Sequence, residues 1–146
     1  MSKVFIAYGS DHTARDAVSD LLKSFGLHPV IFSKTPDHTK AVIEKFEHSA
    51  RQCEFAIIIL NPDDKRIFGK TKKTVQRARQ NVIFEMGWFF GRLDRRKTLL
   101  LRKGTLELPS DIRGVLYKQY KKTPLELKGE IASALKAGGI RLGRRR

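Results

Sequence analysis

Short apolar runs alternate along the chain with stretches of helical period. Residues 3–8 (KVFIAY) predict a buried strand, which Gly9, Ser10 and Asp11 end while supplying caps for a helix. Over 13–25, Ala14, Ala17, Val18, Leu21, Leu22 and Phe25 recur at the spacing of one helix face, and Gly26 closes that helix. Residues 28–32 (HPVIF) predict a second strand. Residues 33–39, polar and holding Pro36, predict a loop. Ala41, Val42, Phe46 and Ala50 then mark a second amphipathic helix over 39–53. The most apolar run, 55–60 (FAIIIL), predicts the central strand, and Asn61, Pro62, Asp63 and Asp64 break it. Residues 65–79 are basic and show no period, so they are expected as a long mobile loop of the kind that often carries function. An apolar helix is expected over 80–93, a fourth strand over 98–101, a connection over 106–113 and a short fifth strand over 115–120. Thr123 as cap with Pro124 at the first position starts a last helix, which ends near Lys136.

Strand and helix in turn predict an α/β domain: a four- to five-stranded parallel sheet with helices on both faces. Such sheets take ligands outside the carboxyl ends of their strands, where strand order reverses. Those ends are here Tyr8 to Asp11, Ser33 to Asp37 and Asn61 to Asp64.

The chain has 146 residues, enough for one domain and one core, and no second domain is expected. The domain is placed at 1–138, with a basic tail at 139–146. No apolar run approaches the roughly 20 residues that span a bilayer. The first residues lead straight into a strand pattern without the regions of a signal peptide, so a cytoplasmic protein with no membrane contact is expected. The one cysteine, Cys53, excludes an internal disulfide framework and a cysteine metal cluster. It lies on an amphipathic helix and reads as core rather than nucleophile. His12, His28, His38 and His48 have no metal-like spacing, and no metal site is expected.

Charge changes the picture. Thirty Lys and Arg against fifteen Asp and Glu give a net charge of +15, concentrated in 65–79, 92–103 and 141–146. Such a surface attracts polyanions. A solvated basic face explains the same residues, and nucleic acid is a possible partner that charge alone does not favour.

Two segments hold candidate chemistry. In the first, Gly9, Ser10, Asp11 and Arg15 sit at a strand-to-helix corner. Free N–H groups at the helix start suit a phosphate, and Arg15 adds a charge-assisted contact. A capped helix with no ligand explains the same pattern. In the second, Glu85 is the one charged group between Val82 and Phe90. A carboxylate among apolar residues is costly to keep. Helical spacing puts Trp88 and Phe89 on its face, which suits a ribose beside a flat base. A partly exposed Glu85 paired with Arg79 or Arg92 is the other reading. Asp63 and Asp64 either cap the turn after the central strand or bind a ribose.

The segments KVFIAYGSDHTARDAV, IEKFEHSA, FAIIILNPDD, RARQNVIFEMGWFFGRL and LPSDIRGVLY together resemble bacterial TIR-like nucleotide-binding domains, the effectors of cyclic-nucleotide-triggered antiphage defence, including fusions to STING. The resemblance runs in order over about residues 3 to 120, and the RxRQNVxFExG block is its most specific part. It implies a flavodoxin-like TIR fold and NAD+ glycohydrolase activity on self-assembly into an oligomer or filament. NAD+ is then the substrate, and no separate cofactor is expected. The resemblance places the catalytic glutamate at Glu85 and the nucleotide-binding loop at Tyr8, Gly9, Ser10 and Asp11, with Arg15, Arg79, Asn81 and Trp88 completing the substrate site. Lys34 to Thr39 departs from the glycine-rich loop usual there, and Trp88 stands where related sequences often carry tyrosine. Such effectors usually hold a second, signal-sensing domain, so a cyclic-nucleotide-sensing domain or partner is implied. Three other functions fit the pattern: a TIR adaptor that assembles without catalysis, a base-exchange enzyme such as a nucleoside deoxyribosyltransferase, and a basic nucleic-acid-binding module.

Overall fold

The computed structural model describes residues 1–32, 41–70, 73–112 and 117–143. In chain order the strands and helices are β1 (Lys3–Ala7), α1 (His12–Ser24), β2 (His28–Ile31), α2 (Val42–Ala50), β3 (Phe55–Leu60), β4 (Asp64–Phe68), β5 (Lys73–Arg77), α3 (Gln80–Leu93), β6 (Thr98–Lys103), β7 (Tyr117–Tyr120) and α4 (Lys128–Ala137). Five strands form one parallel sheet in the order β2-β1-β3-β6-β7. This is the α/β sheet that the alternating pattern predicts and the TIR-like fold that the resemblance implies. β3 is buried along its whole length, as a strand covered on both faces must be.

Side-chain alternation divides the core in two. Val4, Ile6, Phe55, Ile57, Ile59, Leu99 and Leu101 face α1 and α4, where they meet Val18, Leu22, Ile131 and Leu135. Phe5, Ala7, Ala56, Ile58, Leu60 and Leu100 face α2 and α3, where they meet Phe46, Val82, Met86 and Phe89. The second layer is built on aromatic edges. Phe5 lies 5.6 Å from Phe46 and 4.9 Å from Phe89, centroid to centroid, within the range where such pairs attract beyond their burial.

The caps agree with the sequence. Asp11 accepts from Ala14 N at 2.9 Å to start α1, and Gly26 (φ 77°) turns the chain out of it. Thr123 and Glu126 form a reciprocal capping box around Pro124, and the chain enters α4 through a 3-10 turn, Pro124–Leu127.

One expectation is corrected. Residues 65–79 hold no long loop: β4 and β5 pair as an antiparallel hairpin, from Asp64↔Arg77 to Phe68↔Lys73. The hairpin stands outside the main sheet. Its basic sequence shows no regular apolar–polar alternation, and only Ile67, Phe68, Thr71, Thr74 and Val75 stand in it as strand-favouring residues. Glu107 N donates to Gln76 O at 2.7 Å, tying β5 to the segment after β6. The expected loop at 33–39 lies outside the described residues, as do 115–116 of the fifth strand and 144–146 of the tail. No helix among the described residues is long and apolar enough to cross a membrane.

Candidate functional site

The chain passes from β1 to β2 on one side, then returns to place β3 on the other flank of β1. Strand order therefore reverses between β1 and β3, and a crevice opens at their carboxyl ends. A cleft of ≈ 160 Å³ lies there, lined by Ile6, Tyr8, Gly9, His12, Phe32, Arg79 and Glu85. Two helix starts frame it: His12 is the first residue of α1, and Arg79 is the N-cap of α3.

Glu85 reaches this cleft because of its place on α3. Val82, Met86 and Phe89 form the buried stripe of that helix. Glu85 is three residues from Val82 and four from Phe89, so it shares their face. Its relative exposure is 5%. A carboxylate there acts through surroundings less screened than water.

The corner after β1 is closed by carboxylates of the chain itself. Asp63, just past β3, accepts from Ser10 N at 3.2 Å and bonds the Ser10 hydroxyl. A Cβ on Gly9 would overlap the Asp63 carboxylate, so glycine is required for this approach. With Asp11 on Ala14 N, the N–H groups expected to be free for a phosphate are engaged at both Ser10 and Ala14. Asp63 thus does more than cap the turn after β3. It locks the two strand ends together.

The remaining predicted residues divide. Tyr8, Gly9 and Arg79 line the cleft beside Glu85. Ser10 and Asp11 build its corner without lining it. Arg15 lies across the Tyr8 ring, its guanidinium carbon 4.9 Å from the centroid, and donates to the Tyr8 hydroxyl at 3.2 Å and to Asp16 at 2.9 Å. The Asp16 carboxylate, then the Tyr8 hydroxyl, hold its pKa above the ordinary value. Arg15 supports Tyr8 and does not line the cleft. Asn81 is exposed on the first turn of α3. Trp88 packs against Phe46 at 5.3 Å and Phe89 at 5.1 Å, and Phe89 is fully buried. The aromatic groups that line the cleft with Glu85 are Tyr8, His12 and Phe32; Phe89 shares the helix face of Glu85 but belongs to the core. Tyr8 and His12 meet edge to face at 5.7 Å. His12 and Phe32 were missed because neither stands near Glu85 in sequence. The available signal was that each sits at the carboxyl end of β1 or β2.

Away from the cleft, the Tyr120 hydroxyl donates to Asn61 Oδ1 at 2.8 Å in the buried layer, and burial raises the Tyr120 pKa. Asn61 Nδ2 is buried with no hydrogen-bond partner. Cys53 is buried, and burial pushes its thiol up to about 12. This agrees with a core role.

The sequence profile of the CAP12/Pycsar effector protein TIR domain matches residues 3–122. The uncharacterized protein YuaY of Escherichia coli is 44% identical over 117 residues, which cover 80% of this chain and 39% of YuaY. Protein tirC of Dictyostelium discoideum is 31% identical over 139 residues, 88% of this chain and 69% of tirC. The Pycsar effector protein PaPycTIR of Pseudomonas aeruginosa is 41% identical over 86 residues, 58% of this chain and 27% of that protein. The chain thus spans well under half the length of YuaY and PaPycTIR. With a profile match across β1 to β7 and a five-stranded parallel sheet, the chain belongs to the CAP12/Pycsar effector TIR domain family of bacterial antiphage effectors.

Proposed function

We propose that this domain cleaves the nicotinamide–ribose bond of NAD+, with Glu85 as its catalytic residue. The observation that carries the reading is a carboxylate only 5% exposed that lines the cleft where strand order reverses. At ≈ 160 Å³ the cleft is smaller than the roughly 300 Å³ or more of sites that enclose a whole ligand. One end of the dinucleotide enters it, the nicotinamide riboside end, and the rest lies outward.

Breaking the bond sends its electron pair to the nicotinamide ring nitrogen and leaves positive charge on the ribose, as in glycoside hydrolysis. Nicotinamide departs neutral, so no strong general acid is needed, and one carboxylate serves where glycosidases use two. Glu85 holds ribose hydroxyls and stabilises the cationic sugar from fixed, water-poor surroundings. Water then adds to the anomeric carbon and releases a proton. Tyr8 and His12 offer flat faces to the base, and Arg79 offers its charge to the diphosphate. Ser10 and Asp11 hold the loop that carries Tyr8, while Asn81 and Trp88 act on the substrate only indirectly. The reaction draws on no cofactor and no metal.

Activity is coupled to assembly in this reading. Val42, Ile43 and Phe84 are large, exposed apolar side chains on α2 and α3, and Phe84 directly precedes Glu85. Burying them between copies would form an oligomer or filament beside the cleft. The relatives are longer than this chain, which leaves room for a cyclic-nucleotide-sensing domain or partner as the trigger. A non-catalytic adaptor would use the same apolar patch without needing the buried carboxylate.

The test is nicotinamide release from NAD+ at high protein concentration. Wild type releases nicotinamide, and Glu85→Gln loses at least about a hundredfold in rate while keeping its circular dichroism and unfolding midpoint. Near wild-type turnover in Glu85→Gln would refute the assignment. No release by wild type under assembling conditions would leave the adaptor.

A further inference from the structure

A second cavity of ≈ 520 Å³ lies at the opposite end of the sheet, lined by Cys53, Glu54, Arg92, Leu93, Arg96 and Lys97 and closed by residues 137–140. Cys53 and Glu54 precede β3, and Arg96 and Lys97 precede β6, so this is the amino end of the strands. Arg92 stands two turns beyond Glu85 on α3, about 10 Å along the helix. The two sites are separate.

Three cations face one carboxylate in this cavity. Glu54 accepts from the Ser2 hydroxyl at 3.1 Å. Arg92, Arg96 and Lys97 have no ion pair among the described residues. Arg92 alone would be explained by the negative end of α3. Arg96 and Lys97 are not, since they belong to the separate 3-10 turn Arg95–Lys97. Close packing brings that turn to the end of α4. A Cβ on Gly138 would stand 2.9 Å from Arg96 O and 2.7 Å from the Phe55 ring, so glycine lets α4 close the cavity. Leu93 and Ile140 supply apolar wall beside the charges. The volume falls in the range of small-molecule sites.

We propose that this basic cavity binds a nucleotide, with its phosphates on Arg92, Arg96 and Lys97 and its base against Leu93 and Ile140. The site carries no carboxylate placed for chemistry, because its one acidic group is engaged by Ser2. It is a binding site, not a second active site. Nothing in it depends on the reaction proposed for Glu85.

Calorimetric titration of the full chain with ADP, inorganic pyrophosphate and adenosine tests this. ADP binds with one site at the cavity, pyrophosphate binds more weakly, and adenosine does not bind measurably. Arg92→Glu/Arg96→Glu weakens ADP by roughly a hundredfold or more, since each charged hydrogen-bonding group is worth about tenfold. Arg92→Ala alone weakens it by roughly tenfold. Both variants keep the wild-type circular dichroism and a single cooperative unfolding transition, because neither side chain holds an ion pair among the described residues. Lys23→Ala, which removes an exposed cation on α1, leaves ADP affinity unchanged. The proposal is overturned if ADP does not bind, if pyrophosphate binds as tightly as ADP, or if Arg79→Ala rather than the Arg92 variants removes binding. A single-stranded oligonucleotide that binds with steep salt dependence and is not displaced by ADP would overturn it too. That result would assign the cations to an outer polyanion surface.

Discussion

Gly9 and Asp63 show how closely single side chains determine the cleft. Asp63 bonds both the amide and hydroxyl of Ser10, and it can do so only because Gly9 has no Cβ. Gly9→Ala is therefore expected to destabilise the domain by about 1–3 kcal/mol, the usual cost of overpacking, read as a lower urea midpoint. Asp63→Ala in the Gly9→Ala background should recover part of that loss, because the overlap is then gone. Cys53 gives a second check. With its thiol pushed up to about 12 by burial, the thiolate is scarce at mildly alkaline pH. Native protein should resist iodoacetamide there and react promptly once unfolded, as mass spectrometry would show. Glu85 was legible in the sequence as a lone carboxylate in an apolar stretch. Its company was legible only in Tyr8, Gly9 and Arg79, while His12 and Phe32 were missed. His12 and Phe32 reach it from α1 and the end of β2, and contacts between distant segments leave no local period to read.

Among the elements, α3 serves both the core and the cleft. The stripe that buries Val82, Met86 and Phe89 also carries Glu85 into the cleft. Phe89→Ala should cost about 3–5 kcal/mol, measured by denaturant unfolding, because Phe89 is fully buried against Phe5, Phe46 and Trp88. The start of α4 gives a pH prediction. Glu126 accepts from the backbone N–H of Thr123, then Lys121 and Lys122, and those bonds lower its pKa from 4.5 to about 2. A carboxylate depressed in the folded state adds stability above its unfolded pKa and loses it as pH falls towards the folded one. The advantage of wild type over Glu126→Gln should therefore be full above about pH 5 and fade between about pH 4.5 and pH 2, followed as unfolding midpoints. Regular elements with a buried face were readable from sequence, and the Thr123–Pro124 start of the last helix was read directly. The β4–β5 hairpin was not, because its basic sequence carries no regular apolar–polar alternation.

Across the whole molecule the net charge of +15 makes the folded state repel itself. Raising salt from about 10 mM to about 100 mM shortens the screening length from about 30 Å to about 10 Å. The unfolding temperature should rise over that interval, as calorimetry would show. A flat or falling profile would mean that the cations are already compensated. The fold class, the order of the main strands and helices, many core positions and Glu85 as a candidate residue came from the sequence alone. They depend on the period of apolar residues and on one carboxylate standing in an apolar stretch, both of which are local. The pairing of β4 with β5, the Asp63 lock on Gly9, the aromatic groups that surround Glu85 and the cavity where Arg92, Arg96 and Lys97 meet were decided only in three dimensions. The Asp63 lock, the lining of the Glu85 cleft and the closing of the cavity by residues 137–140 join segments far apart in the chain, which only closure of the sheet and packing of its helices bring together; the hairpin is local, but its sequence carries no alternation that reveals it.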